Sequence, residues 1–349
     1  MLTVRSLSLV FVLGALSLAA EGLPQNRGGR NRQGAAATAF QQAQQVPQGI
    51  STATDGSTIL DTNATVNGLP LRFKISAPAD QFAAGSGVRG GAQAAGAAGT
   101  LGLNVLLHGD GGQSFFDFPN QGVRGGLAGV AVLAPDRNLF WGGGQGLRRD
   151  DGVAHARAVA DLVAGVLPRL LAFDPARVSF TGVSGGALLL SGFFLPAHMA
   201  QFVTAPAAGQ TSAPQSAVLL NCGALAPQVP VDPASAAALA ATRIHFQSTQ
   251  RELAQLQPAI RAAVAAYERV AADQGLGAAA VGALQTVDNA PDGGHCEFDG
   301  AGFVSGVQLM ADSFPAVLLP GGDGRLAGTA LNVLNPVVGN EDLVFSGAT

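Results

Sequence analysis

Apolar residues recur along this chain in two alternating spacings. Short, largely apolar runs occupy residues 101–107 and 130–134, and short segments of apolar residues interspersed with a few polar ones occupy residues 178–181, 217–221, 244–248 and 284–287. Runs of this length, bounded by Gly, Pro or charged residues, predict buried parallel strands. Between them the apolar positions take helical spacing. Val153, Ala156, Val159, Ala160, Val163 and Leu167 predict a helix over residues 150–173, kinked or divided at Pro168. Residues 185–199, 258–273 and 302–314 are read as further helices, with Pro258 suited to a first turn. Upstream, residues 57–66 and 69–75 flank Asn67-Gly68, a hairpin signal, and Pro70 predicts that the second arm lies at a sheet edge. Strand alternating with helix predicts an α/β protein: a mostly parallel sheet with helices on both faces, behind an N-terminal antiparallel hairpin. In such sheets, sites form at the carboxyl ends of strands.

Two stretches lack either spacing. Residues 21–50 are rich in Gln, Gly, Asn and Ala and predict a disordered leader. Residues 83–100 are rich in Gly and Ala and predict an exposed loop. Ahead of the leader, Arg5, the apolar run 9–18 and the small residues of Ser17-Leu18-Ala19-Ala20 predict a secretory signal peptide over residues 1–20. That run is too short to span a bilayer comfortably, so no membrane insertion is expected. Residues 51–349 then form one domain, secreted and extracellular.

Composition narrows the partners. Of the 349 residues 48% are hydrophobic and 12% charged, enough to build a large core. The small net charge of -4 offers no electrostatic footprint for nucleic acid, and with a single lysine, Lys74, no polybasic membrane patch is expected. Oligomeric state is not encoded in any pattern found. Secretion also changes how Cys222 and Cys296 are read. In an oxidising compartment these two cysteines can form one intramolecular disulfide. Asn63-Ala64-Thr65 is a sequon for N-glycosylation at Asn63.

The strand at 178–181 runs into Gly182-Val183-Ser184-Gly185-Gly186 and then a helix. A serine on so sharp a turn needs neighbours without side chains. In this context G-x-S-x-G presents a nucleophile, Ser184, above the sheet. The following N–H, that of Gly185, would face a developing oxyanion. The strand at 101–107 ends in His108-Gly109-Asp110-Gly111-Gly112, a glycine loop suited to a second oxyanion donor, either Asp110 or Gly111 through the main chain. His108 is expected to order that loop. Of the five histidines, His295 alone follows a strand in a loop C-terminal to Ser184, so it is the expected general base. The acid that orients it is expected to be Glu252, which follows the strand at 244–248, with Asp288 and Asp292 as alternatives.

The segment from Asp150-Asp151 through Arg177-Val178 to the serine turn, preceded by a strand ending in His-Gly, resembles the secreted polyhydroxybutyrate-depolymerase and feruloyl/acetylxylan-esterase group. The resemblance implies an α/β-hydrolase fold, no metal or other cofactor, and attack on carboxylic esters, polymeric ones included. It places the family's nucleophile, base and oxyanion positions on Ser184, His295, Gly185 and the Asp110 region. Two departures stand out. Arg251-Glu252 occupies the place of the family's usual Asp, and Gly185 follows the serine where Asn, Gln or Met is more familiar. Trp141, the only tryptophan, lies after a strand end and is a candidate to stack on a substrate ring; packing on the core is its rival role. A peptidase on the same scaffold and a non-catalytic binding protein are the alternative functions.

Overall fold

A computed structural model describes residues 37–117, 126–203, 216–306, 335–339 and 341–347. The signal segment, the leader up to residue 36 and residues 307–314 of the last predicted helix lie outside them. Among the described residues ten strands form one sheet: β1 Gly49–Thr52, β2 Thr58–Val66, β3 Leu69–Ala77, β4 Gly102–Leu107, β5 Leu127–Leu133, β6 Val178–Val183, β7 Ala217–Asn221, β8 Arg243–Gln247, β9 Gln285–Asp288 and β10 Asn335–Pro336. Their order is β1-β2-β3-β5-β4-β6-β7-β8-β9-β10. Strands β4 to β9 pair in parallel; β1, β2, β3 and β10 join antiparallel. An antiparallel entry, one swap of neighbours at β4 and β5, and then parallel strands in chain order make this an α/β-hydrolase fold. The swap at β4 is where the connections leaving the sheet diverge, and a crevice opens at such a point.

Every residue of β4, β6 and β7 is buried. Side chains alternate between two cores, one on each face. On β4, Val105 and Leu107 join Phe180, Phe194 and Tyr267 in the larger core, while Leu106 joins Phe115, Leu219 and Phe298 in the smaller. This two-sided burial is why these strands read as largely apolar, and their few polar side chains (Asn104, Ser179, Thr181 and Asn221) are buried as well.

The helices are α1 Ala39–Gln44, α2 Gln113–Asp117, α3 Gly152–Asp161, α4 Gly185–Leu189, α5 Leu195–His198, α6 Pro233–Leu239, α7 Leu256–Asp273 and α8 Ala278–Leu284. Pro168 divides its helix as predicted: α3 ends at Asp161, widens into a π turn over Leu162–Val166 and tightens over Leu167–Arg169. Four helices, α1, α2, α6 and α8, escape the periodicity reading; α1 and α2 are only five or six residues long. α6 and α8 are mostly Ala, with too few large apolar residues to set a stripe; α6 is nonetheless started by the Asp232 carboxylate, which accepts from the N–H groups of Ala234 and Ser235.

Two expectations are corrected. The leader does not extend to Ile50: α1 begins at Ala39, and Gly49 and Ile50 belong to β1. The cause is Arg72, whose buried guanidinium donates to the carbonyls of Ala43 and Val46 and pairs with Asp61 at 2.7 Å. A low-complexity stretch acquires structure because a buried charge needs its carbonyls. Pro70, in turn, does not mark an edge. β3 pairs on both sides, but its ladder with β5 starts at Arg72. Pro70 precedes that ladder, so its missing N–H breaks no bond there.

Candidate active site

β6 ends at Val183, and Ser184 turns the chain into α4 with φ 48° and ψ -112°. For a residue with a side chain this backbone is strained by about 1–3 kcal/mol. The glycines around it follow from close approach. A Cβ at Gly182 would lie 2.5 Å from the Ala187 nitrogen, and one at Gly186 would lie 2.2 Å from the Leu107 carbonyl oxygen. The turn thus needs glycine at both positions, and it lifts Ser184 to the carboxyl edge of the sheet.

There Ser184 Oγ lies 2.9 Å from Nε2 of His295, and His295 Nδ1 lies 2.5 Å from Glu252 Oε1. The three side chains are 111 and 43 residues apart along the chain. Glu252 is fully buried and His295 partly exposed. The Glu252 carboxylate also accepts from the Leu253 N–H at 2.8 Å, which fixes the oxygen that meets the imidazole. The two alternative acids have other partners. Asp288 accepts from Gln247 Nε2 and the Ala290 N–H, and Asp292 is exposed and paired with Arg251. Hydrogen bonds lace the histidine loop to the acid loop: the Gln250 N–H donates to the Pro291 carbonyl, the Arg251 N–H to that of Gly293, and the Thr249 hydroxyl to that of Gly294. A serine hydroxyl on an imidazole whose far nitrogen meets a buried carboxylate can give up its proton as it attacks an electrophile.

The glycine loop after β4 is settled by its hydrogen bonds. Gly111, a candidate oxyanion donor, is corrected: its N–H donates to the Leu139 carbonyl at 3.2 Å. The Gly109 N–H is taken by Ser114 Oγ. Among the described residues the N–H groups of Asp110 and Gly185 donate to no protein acceptor. These two remain for a ligand.

Trp141 is also corrected. It is fully buried, with its ring 5.3 Å from that of His108 and 6.2 Å from that of His155. A side chain sealed in this way cannot stack on a substrate; it packs its loop onto the core. Phe115, which follows the glycine loop after β4, is buried too, and its neighbour Phe116 is half-buried.

His108 holds the loop from below, as expected. Its Nδ1 bonds the Gly109 carbonyl at 2.6 Å and its Nε2 accepts from the Ala134 N–H. Burial pushes its pKa down to about 4, and it does the same to His245, which sits between Thr286 and Gln247. A folded pKa below the unfolded value means that the unfolded chain binds the extra proton first. Stability is therefore fully present above about pH 6.5 and is lost as pH falls towards 4, by up to about 3 kcal/mol per histidine. Urea midpoints measured from pH 7 to pH 4 are expected to show this loss, and His245→Gln is expected to flatten it.

Cys222 and Cys296 form a disulfide with their Cα atoms 5.1 Å apart. Cys222 follows β7 and Cys296 follows His295, so the bridge ties the histidine loop to the parallel sheet. Both residues adopt positive φ, 46° and 60°. Cys222, Cys296 and His295 bring donor atoms within 4.8 Å of one another. With both sulfurs spent in the bridge, no thiolate remains for a metal. The bridge spans 74 residues. A loop of that length predicts about 4 kcal/mol of stabilisation from chain entropy. A Cys222→Ala/Cys296→Ala variant is expected to unfold at lower urea by that order, with a parallel drop in turnover because the histidine loop loses its tether.

Sequence reasoning misses two residues here. Phe303 is half-buried, with its ring 6.2 Å from that of His295 and its Cζ 3.5 Å from where a Gly109 Cβ would stand. It sets an apolar ring beside His295 and the glycine loop. Arg149, 2% exposed, grips Asp110 with two bonds of 2.9 and 2.7 Å. No local signal marks either residue, since each matters only through what the fold brings to it. Asn63 stands exposed on β2, its amide donating to Gln48.

No protein-family model matches this sequence, and no curated protein matches it significantly. Solved structures do resemble it. Fungal esterase structures from Rhizomucor miehei align at 11% identity over 80% of this chain and 87% of theirs, with a TM-score of 0.45. A hyperthermophilic esterase from Pyrobaculum calidifontis aligns at 14% identity over 74% and 83%, with a TM-score of 0.42. Acetyl xylan esterase 1 from Thermoanaerobacterium aligns at 15% identity over 77% and 89%, with a TM-score of 0.40. A likeness this distant carries no activity from one protein to another. Among the described residues no helix is long and apolar enough to cross a membrane.

Proposed function

We propose that this protein is a secreted serine hydrolase that cleaves carboxylic esters, small or polymeric, through an acyl-enzyme. The observation that carries this reading is the Ser184–His295–Glu252 line, with Ser184 Oγ 2.9 Å from His295 Nε2. Ser184 Oγ attacks the ester carbonyl while His295 Nε2 takes its proton. The oxyanion of the tetrahedral intermediate sits between the N–H groups of Gly185 and Asp110. On collapse, the C–O bond breaks and the alkoxide leaves with the proton from His295. Water, deprotonated by the same nitrogen, then releases the acid and restores Ser184. Glu252 holds His295 in the tautomer whose Nε2 is free to accept, and it balances the imidazolium. Water is the only co-reactant the cycle consumes.

Secretion is supported by the apolar segment 9–18 behind Arg5, by the disulfide and by the exposed sequon at Asn63. The test is labelling with a fluorophosphonate, read by mass, in wild type, Ser184→Ala and His295→Ala. Stoichiometric labelling of wild type alone is the expected result. Folded wild type that stays unlabelled would instead mean a non-catalytic binding protein. A panel of p-nitrophenyl esters, feruloyl esters, acetylated xylan, short polyhydroxyalkanoates and a peptide amide then assigns the substrate. Cleavage of the amide in preference to every ester would favour the peptidase.

A further inference from the structure

The oxyanion loop carries a charge where a negative charge is least welcome. In the proposed mechanism Asp110 supplies a backbone N–H that no protein acceptor takes, yet its own carboxylate packs against Gly185, the other donor. A Cβ placed on Gly185 would lie 2.0 Å from Asp110 Oδ1. This contact accounts for glycine at the position after the serine: any side chain there would collide with the carboxylate. An uncompensated carboxylate beside both donors would repel the developing oxyanion.

Arg149 answers that charge. Its Nη1 and Nη2 each bind one Asp110 oxygen, at 2.9 and 2.7 Å. The same two nitrogens also donate to the carbonyls of Trp141 at 3.0 Å and Gly146 at 2.7 Å. The guanidinium is therefore fixed by four acceptors on two loops. Asp151 closes this loop from the other side, its N–H donating to the Gly142 carbonyl, and the Gly142 N–H donates to His155 Nδ1. Arg149 thus ties the glycine loop after β4 to a segment that is itself pinned to the start of α3. A planar fork is the group suited to holding both oxygens of one carboxylate in one orientation.

We infer that Arg149 is a positioning residue for the oxyanion site, holding the Asp110 N–H in line with that of Gly185 and cancelling the Asp110 charge beside the developing oxyanion. The inference rests on the serine-hydrolase reading above. A salt bridge kept only for stability would act on the folded population and leave each folded active site unchanged. Arg149 as assigned here acts on kcat.

The experiment compares wild type, Arg149→Met, Arg149→Lys and the double variant Asp110→Asn/Arg149→Met on a p-nitrophenyl ester. Active sites are counted by complete fluorophosphonate labelling of Ser184, so that rates are expressed per competent site. Failure of wild type to label sinks the underlying hydrolase reading and is distinct from every outcome below. For Arg149→Met, kcat is expected to fall about 100-fold, the loss seen when one oxyanion donor is removed, with KM within a few-fold of wild type. Affinity for an alkylboronic acid, which mimics the tetrahedral adduct, is expected to fall in parallel with kcat. Removing the orphaned carboxylate in the double variant is expected to recover about ten-fold of that loss, a rescue that a packing role does not predict. Arg149→Lys keeps the charge without the fork and is expected to fall between wild type and Arg149→Met. It decides the matter should Arg149→Met not fold. Wild-type kcat per labelled site in Arg149→Lys or Arg149→Met overturns the inference, as does a loss confined to KM or a double variant no better than the single one.

Discussion

Replacing Ser184 with alanine is expected to lower kcat towards the ester substrate by about 10⁶-fold, with folding intact. The side chain contributes one oxygen, and that oxygen is the atom that bonds to the carbonyl carbon. It sits 2.9 Å from the imidazole nitrogen that would take its proton. Alanine keeps the Cβ and relieves nothing in the backbone, since the positive φ of 48° remains. The melting temperature should therefore stay close to that of wild type. His295→Ala is expected to cost about as much, and the double variant scarcely more than either single one, because a nucleophile without its base and a base without its nucleophile are equally idle. Steady-state kinetics on folded, monodisperse protein checks this. Additive losses in the double variant would mean that the two residues do not act as one unit.

The second large effect concerns Glu252. Glu252→Gln keeps the shape of the side chain and removes its charge, and a loss of about 10⁴-fold in kcat is expected. Glu252 is fully buried, and one of its oxygens meets both His295 Nδ1 and the Leu253 N–H. A carboxamide in its place can turn its NH₂ towards Nδ1. The imidazole would then carry its proton on Nε2, the nitrogen that must be free to accept from Ser184. The nucleophile would face a donor in place of a base. Asp292→Asn, by contrast, breaks only an exposed pair with Arg251, worth at most about 1 kcal/mol, and is expected to leave kcat near wild type. Comparing the two variants identifies the acid directly: equal losses, or a larger one at Asp292, would reject Glu252.

The two charges at this site illustrate different physics. Glu252 is useful because its negative charge sits behind the imidazole, where an imidazolium forms. Asp110 sits beside the place where an oxyanion forms, and it is tolerable because Arg149 neutralises it. Both are buried or half-buried, so water screens them little, and the sign of each charge has to suit its place.

Much of this was legible in the chain itself. Short, mostly apolar runs with helical spacing between them determined an α/β sheet, because a strand covered on both faces buries nearly every side chain and tolerates only the few polar ones that find a hydrogen bond, as Thr181 does on Asn104. Asn67-Gly68 determined the hairpin, through a turn that demands positive φ at both residues; they adopt 51° and 79°. Gly182 and Gly186 around Ser184 determined the sharp turn, since only glycine tolerates backbone at such distances. These are local constraints, and a sequence records local constraints directly.

The tertiary structure decided what depends on which loops the sheet brings together. Three acids followed suitable strands, and only the bonds between the 248–252 and 289–297 loops brought Glu252 to His295. Asp110 and Gly111 were equal candidates until the Leu139 carbonyl took one N–H and left the other free. Trp141, placed near the site by its position after a strand, turned inward because two histidine rings and the core offered it complete burial. Arg149 carried no mark in the sequence beyond being an arginine; the meeting with a carboxylate 39 residues away made it part of the site. A sequence can require that a buried charge find a partner, but only the order of strands and the path of the loops between them determine which partner it finds.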